Sequence, residues 1–452
     1  MTTYNRVGLI GENSIQFIEK MIEVWNGGGC VVLLDWRMPT ASRNQRLQEA
    51  GVTKCYIEKR FYQEANDVEK KIEFIPFENN IVDTAIMPQS VFENYVERLT
   101  DDEAVIIQSS GTTGQSKGII LSHKAITLNA DYIIENQSIT PKECTLLIRS
   151  FVHSSGLSDI MVSLRSGMTT FLGAGVHPRQ VLFQMENCSV TRIGLVPTLL
   201  KIYFQQIKKD MYKLAALKTI NVGGAVLLEQ QVEQALAILP HINIFNHYGL
   251  AEVGPRLTGQ TSEKNTIGSV GSPIHKDIKI KIVNERNVEL PCGEIGRVFV
   301  KTPTMFSGYV SGAETNIIDG WLNTNDLGYL DPNGELFIKG RADDAILSKA
   351  KIVYPSDVEK IILQTKGVQQ CIVFGYPDDI YGEKIICYYI SENNNENMQS
   401  NILNNCYRQL MEHEVPREVY CIDEFPKGFS GKVSRKQMRK MYENNKRIVR
   451  KQ

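Results

Sequence analysis

The stretch SSGTTGQSKG occupies Ser109–Gly118. Four hydroxyl-bearing residues and two glycines fill its first six positions, and Lys117 and Gly118 close it. Glycines let backbone N–H groups turn toward an anion, hydroxyls add donors, and a lysine adds positive charge. Read alone, the stretch fits either a polyphosphate cradle or a solvated Ser/Gly loop. It is not a Walker loop, because Lys117 is preceded by Ser116 and followed by Gly118.

The flanks add weight to the first reading. AVIIQ (Ala104–Gln108) predicts a strand running straight into the loop. IILSHKAITLNADYI predicts a strand end followed by a helix. The same alternation extends outward. VGLI (Val7–Ile10) and CVVLLDW (Cys30–Trp36) predict strands, separated by a helix over Ser14–Trp25 with Ile15, Ile18, Met21, Ile22 and Trp25 on one face. IGLVP, TINVGG and INIFNHYG continue the series, which points to helix-covered, mostly parallel sheets.

After about Gly268 the texture changes. DIKIKIVN, EIGRVFVK and ELFIKGR alternate as half-exposed strands, which predicts a small β-barrel-like part. DPNGE (Asp331–Glu335) reads as a hairpin turn with Asn-Gly at its tip. From Arg341 a smaller unit follows, with SDVEKIILQ helical and CIVFGYP and KIICYYI as strands. The expected organisation is an N-terminal domain over 1–340 hinged to a small α+β domain over 341–452.

The 452 residues are too many for one ordinary core. Fifty basic residues balance 51 acidic ones, which argues against a chain built to grip nucleic acid or an anionic membrane. Nine scattered cysteines without a C-x-x-C pair suit a reducing cytoplasm. The start has too short an apolar stretch for a signal peptide, and no apolar run is long enough to cross a bilayer. Seven histidines show no metal-ligand spacing.

SSGTTGQSKG resembles the phosphate loop of the adenylate-forming (AMP-binding) superfamily, which holds acyl- and aryl-CoA ligases, luciferase-like enzymes and stand-alone adenylation domains. Further stretches match in order: FVHSSG (Phe151–Gly156), VGGAVL and NHYGLAE (Val222–Leu227 and Asn246–Glu252), NTNDLGYLDPNGELFIKGRADD (Asn323–Asp344) and FPKGFSGKVSRKQMR (Phe425–Arg439).

The resemblance implies ATP-dependent conversion of a carboxylic acid to acyl-AMP, then transfer to a pantetheine thiol. Ser109, Ser110, Thr112, Thr113 and Lys117 would hold the β- and γ-phosphates. Glu252 would coordinate Mg2+, a hard ion that takes carboxylate and phosphate oxygens. Gly223, Gly224 and Ala225 would lie against adenine, with Tyr248 stacked on it. Asp326 would accept the ribose hydroxyls and Arg341 would contact the nucleotide. Lys432 would reach the α-phosphate and the acid's carboxylate, and Asp343 would be the hinge for domain alternation. His153, Ser154 and Gly249 would border the acid, with His153 beside its carboxylate.

The sequence departs from the family pattern at four places. Ala251 stands where a threonine is common, as it does in aryl-acid-activating relatives, and Ser116 replaces the loop proline. Ala350 replaces a glycine on the pantetheine route. The chain also begins close to its first strand, so part of the usual N-terminal region is expected to be missing. Amino-acid-activating domains carry an aspartate where Ser154 stands, and a neutral hydroxyl does little for a buried ammonium. An aryl or acyl acid is therefore expected over an α-amino acid. The acceptor is expected to be CoA, narrowly ahead of a carrier-protein phosphopantetheine arm. A monomer or homodimer is expected. A relative that binds nucleotide without catalysing stays open as a separate reading.

Overall fold

The computed structural model describes residues 5–63, 72–79, 84–108, 117–173, 175–260, 266–391, 397–426 and 434–449. A seven-stranded sheet carries, in order, Gly308–Tyr309, Gly118–Ser122, Glu103–Gln108, Cys30–Leu34, Arg6–Ile10, Lys54–Glu58 and Glu73–Phe77. Its inner strands run parallel, and Gly118–Ser122 runs antiparallel to both of its neighbours.

The continuous apolar runs have a simple cause. Side chains alternate across a strand, so a strand covered on both faces must be apolar throughout. Val31 and Leu33 join one core, while Val32 and Leu34 join another. The strand stops at Leu34, short of the predicted Trp36, because the Asp35 carboxylate accepts from the Arg37 backbone N–H at 2.9 Å and turns the chain. The predicted helix spans Ile15–Asn26, with Ser14 as its cap accepting from the Phe17 N–H.

An eight-stranded sheet follows, in the order Ser272–Pro273, Gly254–Gly259, Asn243–Leu250, Thr219–Gly223, Arg192–Leu195, Cys144–Leu147, Thr169–Gly173 and Thr84–Ile86. It too is parallel in the middle and antiparallel at its edges. The helices His123–Asn136 and Ser154–Ser166 contribute to the same core as Val31, Val105, Leu147 and Leu257, so they lie between the two sheets. Helices Pro197–Asp210 and Glu229–Ile238 cover the outer face, against Ile193, Leu195, Ile220 and Val222.

A five-stranded antiparallel sheet holds Lys279–Val283, Gly296–Lys301, Ile317–Ile318, Trp321–Leu330 and Leu336–Arg341. The predicted hairpin is present, but its tip is Pro332–Asn333: the Gly334 N–H donates to the Asp331 carbonyl, and Gly334 takes a left-handed φ of 77°. Proline at the second turn position and glycine at the fourth make this turn, rather than an Asn-Gly tip.

The last sheet contains Ile346–Ser348, Lys351–Val353, Val368–Asp378, Gly382–Ser391 and Glu418–Cys421. It packs Val358 of helix Pro355–Leu363 and Ile402 of helix Met398–Gln409 into a core of its own. Arg435, at the start of helix Arg435–Val449, fixes that helix. It donates to the Val373 carbonyl at 2.9 Å and to Glu359 Oε1 at 2.6 Å, and pairs with Asp344 at 3.3 Å. Among the described residues no helix is long and apolar enough to cross a membrane.

Candidate active site

In open α/β sheets ligands bind beyond the carboxyl ends of parallel strands. Gly223 ends one such strand of the eight-stranded sheet, and its Cα is paired with His247 on the next. Gly224 turns away with φ of 85°, and Gly224 and Ala225 are exposed. The strip is thus a flat backbone surface with little side chain on it. Gly249 is required for another reason: a Cβ there would overlap the backbone of Gly254 and Pro255, which fold back over it.

One residue after His247, Tyr248 points to the other side. Its hydroxyl donates to Asp326 Oδ2 at 2.6 Å. Arg341, paired with Asp326 across the neighbouring strands, donates to Asp326 Oδ1 at 3.3 Å and to the Thr324 carbonyl at 3.0 Å. Burial raises the Asp326 carboxyl above the usual range, against the pull of Arg341 and Tyr248. Burial, reinforced by Asp326, pushes the Tyr248 phenol well up.

Glu252 is half-buried on the same segment. The Tyr309 hydroxyl donates to its Oε1 at 3.2 Å, and the Lys117 ammonium lies 4.6 Å from the centre of the Tyr309 ring. Tyr309 belongs to the short strand paired with Ile119 and Ile120, just after the Ser109–Gly118 stretch. One aromatic ring therefore ties the exit of the loop to Glu252.

Two family sequence patterns match this chain. The pattern of AMP-binding enzymes matches residues 1–310, and that of the AMP-binding enzyme C-terminal domain matches residues 357–432. The chain belongs to the AMP-binding enzyme family. It is 29% identical over 437 residues to a 2-succinylbenzoate–CoA ligase of Enterococcus faecalis, covering 95% of this chain and 87% of that one. It is 24% identical to the fatty acid–[acyl-carrier-protein] ligase ScoC of Streptomyces coeruleorubidus, covering 96% and 86%. ATP-bound MatB from Rhodopseudomonas palustris shares the fold, with a TM-score of 0.87 at 23% identity over 98% of this chain and 89% of that one.

In this AMP-binding enzyme, Ser109, Ser110, Thr112, Thr113 and Lys432 lie outside the described residues. His153 stands at the N-cap position of helix Ser154–Ser166 without a side-chain capping bond and is half-buried, as Ser154 is. Gly156 is dictated by packing, since a Cβ would overlap the Ser150 carbonyl. Asp343 is exposed, and its carboxylate accepts from Asn325 Nδ2 at 2.6 Å. Ala350 sits with Lys349 at the tip of the turn joining Ile346–Ser348 to Lys351–Val353, and φ is 59° and 50° respectively.

Glu252 fits the demands of Mg2+, which keeps several waters and needs only one or two protein carboxylates beside phosphate oxygens. Among the described residues no group of three or more His, Cys, Asp or Glu could hold a metal by itself. Sequence reasoning passed over Tyr309, Thr324, Asn325 and Arg435. It also passed over a charged cluster on the inner face of the eight-stranded sheet. There Arg149 pairs with Asp159 through Nε at 2.7 Å and Nη2 at 2.6 Å, and Arg256 Nη2 donates to the same Asp159 at 2.8 Å.

Proposed function

We propose that this chain activates an aryl or acyl carboxylic acid with MgATP and then passes the acyl group to a pantetheine thiol. In the first step a carboxylate oxygen bonds to the α-phosphorus, and the bond from that phosphorus to pyrophosphate oxygen breaks. In the second, the thiol loses its proton and its sulfur bonds to the acyl carbon as AMP leaves. The observation that carries the reading is the convergence of Tyr248, Asp326 and Arg341 with Glu252, Tyr309 and Lys117 at the strand ends of one family member.

Each group has a physical task. Asp326, held by Tyr248 and Arg341, is a fixed two-oxygen acceptor suited to a pair of ribose hydroxyls. The Gly223–Ala225 strip admits a flat base, and Tyr248 borders it. Glu252 would hold Mg2+, which when bound offsets phosphate charge so that an anionic carboxylate can approach. Lys117 and the Ser109–Thr113 hydroxyls would hold the β- and γ-phosphates. His153 and Gly249 would border the acid. Lys432 would bridge the α-phosphate and the carboxylate. The unit over 341–452 would be the mobile part, turning at Asp343.

CoA is the favoured acceptor. The E. faecalis relative is named a CoA ligase, whereas ScoC is named for an acyl carrier protein. The test is to offer preformed acyl-AMP with CoA or with a phosphopantetheinylated carrier protein. Thioester formed with CoA alone supports the proposal; thioester formed only with the carrier assigns the chain to carrier loading.

A further inference from the structure

The inner face of the eight-stranded sheet breaks the apolar rule of its strands. Ile193, Leu195, Ile220 and Val222 face outward into a core. Alternation therefore turns Gly194, Asn221 and, one strand over, His247 toward the helix Ser154–Ser166. Arg149 follows the strand Cys144–Leu147, and its guanidinium lies directly over Gly194, where a Cβ would collide with it. Only glycine leaves that space. Arg256, 4% exposed, comes from the strand Gly254–Gly259, which pairs with the strand of His247.

The charges of this layer do not balance. One carboxylate, Asp159, serves two guanidinium groups. The neighbouring Arg192 has its own partner, Glu143, at 2.6 Å. His247 adds no anion: burial holds its pKa well below the usual value, and its Nε2 lies 2.9 Å from Asn221 Oδ1. Arg256 Nη1 is buried and has no hydrogen-bond partner. Burial, with Arg149 and Arg192 nearby, draws the Arg256 pKa down to about 10. A buried guanidinium normally has all its donors engaged. Here one donor and one positive charge are left over.

The place is as informative as the charge. Asp159 lies six residues along the helix from His153, about 9 Å. His247 adjoins Tyr248 in the chain and pairs with Gly223. The unmatched charge is thus one short molecule's length from the end where the acid's reacting carboxylate would sit.

We propose that the acid carries a second anionic group, a distal carboxylate, received by Arg256 and Arg149. The inference rests on the acid-activating function proposed above. It makes Arg256 a specificity-determining residue and Asp159 the group that positions both arginines. Binding the distal carboxylate supplies the missing anion and engages the spare Nη1 donor. An uncharged isostere leaves that charge buried and uncompensated, which sites of this kind reject strongly.

The test is acid-dependent ATP–pyrophosphate exchange with matched pairs: the C3 to C8 straight-chain diacids, the benzenedicarboxylic acids and 2-succinylbenzoate, each against its monomethyl ester. At least one diacid is expected to exceed its ester by about 100-fold or more in kcat/KM. In Arg256→Met that ratio is expected to collapse toward one. The wild-type comparison stands even if the variant fails to fold. Esters or simple monoacids used as well as, or better than, every diacid would overturn this inference alone. An undiminished ratio in a folded Arg256→Met protein would overturn the assignment to Arg256. No exchange with any acid would overturn the proposed function and this inference with it.

Discussion

Asn325 Nδ2 donates to Asp343 Oδ2 at 2.6 Å, joining the strand that carries Asp326 to the segment that leads into the C-terminal unit. Asn325 adopts a left-handed φ of 60°, a conformation asparagine tolerates better than most residues. Nearby, Lys339 Nζ reaches Asp357 Oδ1 at 3.0 Å and Ser356 donates to the Lys339 carbonyl. These bonds hold one arrangement of the two parts. A proline at position 343 fixes φ there and should obstruct any turn about it. Asp343→Pro is expected to retain acyl-AMP formation within a few-fold and to lose about 10-fold or more in thioester formation, measured as separate half-reactions. Equal loss in both would count against a hinge.

Tyr309 predicts a metal effect. Its hydroxyl is a donor to the carboxylate assigned to Mg2+, and such supporting bonds commonly affect metal affinity by 10- to 100-fold. Tyr309→Phe keeps the ring beneath Lys117 but loses the donor. The Mg2+ concentration giving half-maximal pyrophosphate exchange should rise by about 10-fold, with the folded-state circular dichroism unchanged. An unaltered Mg2+ requirement would separate Tyr309 from the metal site.

Much of the architecture was legible because burial on both faces writes itself as unbroken apolar strands, as at Cys30–Leu34. Position along the chain hid the rest. Tyr309 is 57 residues from Glu252, and Asp159 is 97 from Arg256. The stacking of helix Ser154–Ser166 on the sheet brings Asp159 to Arg256, and the pairing of Gly308–Tyr309 with Ile119 and Ile120 brings Tyr309 to its place. Short turns were misread where a single side chain overrides propensity, as Asp35 does in ending its strand. The family stood out because several short motifs, each ambiguous alone, occur in one order.

Asp326 predicts a pH effect with a definite sign. Burial raises its pKa, so on acidification it takes up a proton earlier than an ordinary aspartate of pKa 3.8. The protonated form accepts hydrogen bonds poorly. ATP affinity should therefore weaken as pH falls through the raised pKa, before ordinary carboxylates titrate. By linkage the same group favours the folded apo-protein as pH falls through the window between 3.8 and its raised value, because the folded state binds the extra proton. Asp326→Asn should bind ATP more weakly at neutral pH and lose this acid-side step. Parallel binding titrations of both proteins cancel the titration of ATP itself; superimposable pH profiles would contradict the role.

Ala350 predicts a stability effect. A non-glycine residue in the left-handed region costs about 1–2 kcal/mol, part of which glycine returns as unfolded-state entropy. Ala350, at φ 59° on an exposed turn, should therefore gain about 0.5–1 kcal/mol on substitution by glycine. Thermal unfolding of Ala350→Gly should show a raised Tm. If Ala350 also narrows the pantetheine route, CoA-dependent thioester formation rises in the same variant while acyl-AMP formation does not.

The central claim is that acid and ATP meet in one site and exchange pyrophosphate reversibly. The measurement that tests it most directly is acid-dependent ATP–pyrophosphate exchange in the wild type beside Lys432→Ala. The account predicts exchange that requires both Mg2+ and an acid, reduced by about 100-fold or more in Lys432→Ala, while that variant still turns preformed acyl-AMP into thioester. Tight ATP binding with no acid-dependent exchange, or equal exchange in Lys432→Ala, would contradict it.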